Sequence, residues 1–96
     1  MVDARAAAEY LKNNTNLMDE VHEASGGEGA AVIVGTRTKR DGSPQEVTVE
    51  VRDSGRGDLR YAVDVTAEGA EKIVANEAGS LSEALSNADA RSSGLG

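Results

Sequence analysis

The chain has 96 residues with 17 acidic and 10 basic side chains, a net charge of -7, and is the length of one small domain. It has no cysteine, which excludes disulfides, thiolate metal sites and a cysteine nucleophile. It has no Phe or Trp and only two Tyr (Tyr10 and Tyr61), so a lone domain has a thin core and self-association through a shared apolar face is expected.

No run approaches the roughly 18–20 apolar residues of a membrane span. The segment MVDARAAAEYLKNN lacks the basic region and apolar run of a secretory signal, so the expected location is cytoplasmic. Asn13-Asn14-Thr15 spells a glycosylation sequon and is read as chance in such a chain. Seven of the ten bases are Arg, and the acid-rich, Lys-poor composition is similar to that of salt-loving archaea and of high-GC bacteria. Salt is then expected to screen the chain's self-repulsion.

In chain order, residues 4 to 24 read as helix. Ala7, Tyr10, Leu11, Asn14, Met18 and Val21 recur at spacings of three and four, with Asp3 as N-cap. KNNTN, Lys12 to Asn16, contains poor helix formers. One helix bent there and two short helices both fit, and the single bent helix is preferred. Ser25-Gly26-Gly27-Glu28-Gly29 stops it. Residues 30 to 65 change to period two and give three strands: AAVIVGTRTK, EVTVEV and LRYAVDV. Val47, Val49, Val51, Leu59, Tyr61, Val63 and Val65 face inward by alternation. Asp41-Gly42 marks the first turn and DSGRGD the second. From Thr66, read as a cap, Ala70, Ile73, Val74, Ala78, Leu81, Leu85 and Ala88 form a helical stripe. Ser80-Leu81-Ser82-Glu83 is a capping box that kinks or restarts the helix. A disordered tail is expected over 91–96 after a single domain over 1–90.

The predicted fold is therefore α+β: a three-stranded antiparallel meander with the N- and C-terminal helices packed on one face. The order helix, strand, strand, strand, helix resembles that of the double-stranded RNA-binding domain. That family contacts phosphates through a basic cluster at the start of its last helix. The corresponding segment here, VTAEGAEK, has only Lys72.

Charge by segment is uneven. Residues 1–30 carry six acids and two bases, 31–61 five acids and six bases, and 62–96 six acids and two bases. The helices thus read as acidic and the sheet as basic. Arg37, Lys39, Arg40, Arg52, Arg56 and Arg60 supply the basic set, several of them on the solvent face by alternation. Cross-strand pairing explains it structurally, with Lys39 opposite Glu46 and Arg60 opposite Glu50. A nucleic-acid-binding surface is the alternative, without exposed aromatics for base stacking.

His22 is the single histidine. In DEVHEA it begins like a zinc-protease motif, but the position for the second His is Gly26. Asp19, Glu20 and Glu23 read as a solvated helix face without calcium-loop spacing. GGEGAAVIVGT lacks the Lys-Ser/Thr of a phosphate loop, and Arg56-Gly57-Asp58 sits in a hairpin and reads as coincidence. No nucleophile, base and orienting group assemble. The expectation is a small non-catalytic interaction module that needs no cofactor or metal and forms a homodimer. Ile73, Val74, Leu81 and Leu85 or an open sheet edge would make the contact.

Overall fold

The computed structural model describes residues 3–27, 29–39, 41–55, 60–69 and 74–91. The elements are α1 (Ala4–Asn14), β1 (Glu20–Gly27), β2 (Ala30–Thr38), β3 (Pro44–Asp53), β4 (Tyr61–Ala67), β5 (Val74–Ala78) and α2 (Leu81–Ala90). The α+β class is as expected, but the sheet has five antiparallel strands in the order β1-β2-β3-β4-β5 rather than three. β1 comes from the end of the first segment that reads as helix together with its Ser25-Gly26-Gly27 stop, and β5 from within the second helical stripe. With five strands between the helices, the element order is no longer that of the double-stranded RNA-binding domain.

α1 starts as the sequence indicates, with the Asp3 carboxylate accepting from the N–H of Arg5 at 3.0 Å and of Ala6 at 3.2 Å. It buries Ala7, Ala8 and Leu11, then ends at Asn14 instead of continuing to residue 24. The Thr15 hydroxyl donates to the Leu11 carbonyl at 2.6 Å and accepts from the Leu17 N–H at 3.2 Å. This local bonding competes with the helical ladder and stops it within the poor helix formers. Leu17 and Met18 are fully buried in the connection that follows.

β1 is an edge strand with a bulge between Val21 and Glu23. The turn to β2 uses Gly29 at φ +82°. β2, β3 and β4 keep the predicted alternation: Ile33, Val47, Val49, Val51, Val63 and Val65 are fully buried on one side. Gly35 lies on that same side. A Cβ there would come within 3.0 Å of the Glu20 carbonyl oxygen and the Met18 sulfur, so the close approach of Met18 requires glycine. The Asp41-Gly42 turn forms as expected, with Gly42 at φ +87° and the Asp41 carboxylate accepting from the Ser43 N–H at 2.9 Å.

The long helix expected after Thr66 does not form. Thr66 is inside β4, opposite Thr48, and Val74–Ala78 pairs with β4 as β5. Asn76, opposite Val63, donates from Nδ2 to the Ala84 carbonyl at 3.2 Å and so ties β5 to α2. The Ser80 hydroxyl accepts from the Glu83 N–H at 3.2 Å, so the capping box marks the true start of α2. Ala84, Leu85 and Ala88 are buried. Arg91, assigned by sequence to the tail, caps α2 through its N–H to the Asn87 carbonyl, and residues 92–96 lie outside the described residues.

Both helices cover the valine face, as predicted. α1 lies against β1 and β2, α2 against β4 and β5, and the two touch. Tyr10 Oη and Ser86 Oγ are 2.5 Å apart, and Asp89 accepts from the Asn16 N–H at 3.0 Å.

Candidate interaction surface

Alternation in each strand sends the remaining side chains to the uncovered side of the sheet. Strand register sets them in rows. Glu20, Thr36 and Glu46 form one row, and Glu23, Val34, Thr48 and Thr66 the next. Ser25, Val32, Glu50 and Asp64 form the third, and Ala30, Arg52, Ala62 and Glu77 the fourth. The inner positions of this open face are therefore Val32 and Val34 on β2 with Thr48 and Glu50 on β3. Val32 is 37% exposed, and Val34 beside it on β2 is half-buried.

Acids surround the two valines. Among the described residues Glu20, Glu23, Glu46, Glu50, Asp64 and Glu77 share the face with one guanidinium, Arg52. Arg52 Nη2 reaches the Asp64 carboxylate at 2.8 Å. Glu50 stands directly opposite Asp64, a like-charge pair, and has no ion-pair partner among the described residues. By contrast, the two helices with their caps carry four acids, Asp3, Glu9, Glu83 and Asp89, against three bases, Arg5, Lys12 and Arg91. The charge layout is the reverse of the segment count, which made the helices acidic and the sheet basic.

The basic residues do not gather on the open face. Arg37 falls on the core side of β2 at its end, opposite Gln45, which is 3% exposed. Lys39 is in the hairpin, its N–H donating to the Ser43 carbonyl at 2.8 Å. Arg60 precedes β4 and grips Asp53 with two hydrogen bonds, Nε to Oδ1 at 2.7 Å and Nη2 to Oδ2 at 3.0 Å. Its guanidinium also lies 5.1 Å from the Tyr61 ring centroid. The Asp53 side chain is 2% exposed, and the Arg60 hydrogen bond holds its carboxyl far below the ordinary 3.8. The same pairing raises Arg60. The expected Lys39–Glu46 and Arg60–Glu50 neighbours are replaced, since Glu46 faces Thr36 and Glu50 faces Asp64. Arg40 and Arg56 lie outside the described residues.

The helical stripe expected to mediate self-association is divided between elements. Leu85 is fully buried in the chain's own core, and Leu81 is half-buried against it. Val74 opens β5, and Ile73 lies outside the described residues. His22 sits at the β1 bulge rather than on a helix, its Nε2 hydrogen-bonded to the Thr36 hydroxyl. Asp19 accepts from the Thr38 N–H at 2.9 Å and so parts from Glu20 and Glu23, with which sequence grouped it. Among the described residues no group of three or more His, Asp or Glu is disposed to hold a metal ion, and no helix is long and apolar enough to cross a membrane.

Sequence reasoning missed Glu20, Glu23 and Glu77 as members of this face because it placed them in helices. Val21, Ser25 and the Gly26-Gly27 pair were the available signal, since all are poor helix formers. Comparison with protein-family models, curated proteins and solved structures gives no match to this chain.

Proposed function

We propose that this protein is a small non-catalytic interaction module whose contact surface is the open face of the sheet. What carries the reading is the exposed Val32, with Val34 beside it on β2, on a sheet face that neither helix covers. An antiparallel sheet accepts a solvated face, but polar residues normally fill it. Apolar side chains with charges around them are the anatomy of a contact surface. A second copy of the chain is one way to cover it. That arrangement opposes two acidic faces, so such a dimer would strengthen as salt screens them. Nucleic-acid binding draws no support from Arg37, Lys39, Arg52 and Arg60, which are dispersed over a core-side position, a hairpin and two ion pairs.

The test is carboxylate footprinting. A water-soluble carbodiimide with an amine label is applied to the purified protein and to native extract from the source cells, and the labelled sites are compared by mass spectrometry. Protection in extract of Glu23, Glu46 and Glu50, with Glu9 and Glu83 unchanged, is the expected result. Equal labelling of both sets in both samples would remove the reading.

A further inference from the structure

We infer that the partner of the open face is a cationic amphipathic polypeptide segment, one that presents Lys or Arg around an apolar stripe. The inference rests on the open face being the contact surface and names what that surface selects.

The charge layout is the first argument. Acids kept only for solubility would be spread over the molecule. Among the described residues the helices with their caps are nearly balanced, with four acids and three bases, while the open face has six acids against one guanidinium and His22. The guanidinium is already occupied, because Arg52 is 2.8 Å from Asp64. A partner that covers this face must bring positive charge, since uncompensated carboxylates are costly to remove from water.

Glu50 gives the second argument. Register sets it opposite Asp64 on one side and Val32 on the other. It is exposed and has no ion-pair partner among the described residues. Arg52 already offsets Asp64, so Glu50 is the carboxylate of this row that a partner's lysine or arginine would pair. The third argument is the pair of valines. Val32 and Val34 offer no charge at all, so a purely cationic ligand would leave them uncovered. An apolar stripe flanked by bases matches both features, as helices pack on sheets through such a stripe.

The alternatives fit less well. A second copy opposes carboxylate to carboxylate, and nucleic acid opposes phosphate to carboxylate.

The experiment uses the full chain labelled with nitrogen-15 and three synthetic peptides of about 18 residues, roughly 27 Å when helical. One is a Lys/Leu amphipath, one the Glu/Leu counterpart and one a Lys/Ser peptide of equal charge without the apolar stripe. The Lys/Leu peptide should shift amides of β2, β3 and β4 and bind more weakly as salt rises. Glu23→Gln, Glu46→Gln and Glu50→Gln should each weaken it about two- to fivefold. Val32→Ser should weaken it without changing the charge, and Glu9→Gln and Glu83→Gln should leave it unaltered. The Glu/Leu peptide should not bind, and the Lys/Ser peptide should bind several-fold more weakly.

Equal binding of the Lys/Leu and Glu/Leu peptides, shifts centred on the helices, or indifference to the Glu variants would each overturn the inference. Footprint protection of the open face without Lys/Leu binding would retain the contact surface and reject a cationic partner. A dimer that strengthens with salt and protects the same carboxylates would assign the face to a second copy and likewise overturn it. Absence of both protection and peptide binding would remove the surface and the partner together.

Discussion

β2, β3 and β4 present two surfaces with opposite obligations. On the covered side, Ile33, Val47, Val49, Val51, Val63 and Val65 are fully buried beneath α1 and α2. On the open side, alternating with them, stand Val32, Val34, Glu46, Thr48, Glu50, Arg52 and Asp64. Valine therefore occurs on both sides, and only the register decides which valines hold the fold together and which remain for contact. The charges follow the same division. The acids concentrate where no helix lies, so charge in this protein is a property of a face and not of a segment.

The largest effect should come from removing a covered side chain and comparing it with an open one. Leu85→Ala deletes a fully buried residue and should cost about 2–5 kcal/mol. Val32→Ala on the open face should cost about 0.5 kcal/mol or less. Urea unfolding of both variants measures the difference, and similar losses would mean that the two faces are not distinct.

Gly35→Ala tests the covered side in the other sense. The new methyl would crowd the Glu20 carbonyl and Met18, and overpacking of this kind costs about 1–3 kcal/mol. A thermal midpoint equal to that of the parent would show that Met18 and the start of β1 yield without cost.

Asp53 sharpens the comparison by pH. Its carboxyl is depressed in the folded state, so its pairing with Arg60 stabilises fully above the ordinary 3.8 and is lost progressively as pH falls below that value. Asp53→Asn should therefore destabilise at pH 7, and its deficit should shrink as the pH is lowered from 4 toward 2. Denaturant midpoints of parent and variant over that range provide the check. A deficit that does not change with pH would assign the loss to packing.

The smallest effect belongs to the open face. Glu50→Gln removes a like charge opposite Asp64 and should change stability by a few tenths of a kcal/mol, toward greater stability. It should also reduce the gain in midpoint that added salt gives the parent chain. An unchanged salt response would place the self-repulsion elsewhere.

The legible parts of the fold share a physical cause. Val47, Val49 and Val51, like Val63 and Val65, alternate because one side of their strands is dry and the other wet. β1 has no such contrast. As an edge strand exposed along nearly all its length, and with a bulge after Val21, it shows no alternation to detect. Met18 and Val21 fall at helical spacing from Leu11 and Asn14, although α1 has already ended. β5 was hidden differently. It has five residues, Val74 and Ala78 are four apart as on a helix, and inward-facing Asn76 interrupts the apolar pattern because it serves the Ala84 carbonyl. Those two errors moved Glu20, Glu23 and Glu77 into helices, and the acidic face disappeared from the charge count. The capping residues Asp3 and Ser80 survived because a cap is a local bond that needs no knowledge of the sheet.

The contact between the first and last helices has a consequence for synthesis. Each strand pairs with its neighbour in sequence, so the sheet is assembled from local steps of the kind that favour rapid folding. The roof over its valine side is not local. α1 leaves the ribosome first, but its Tyr10 partner is Ser86, and Leu85 reaches the core only with the ten residues of α2. A nascent chain can therefore zip five strands while the β4–β5 part of its valine side stays unsealed until α2 emerges.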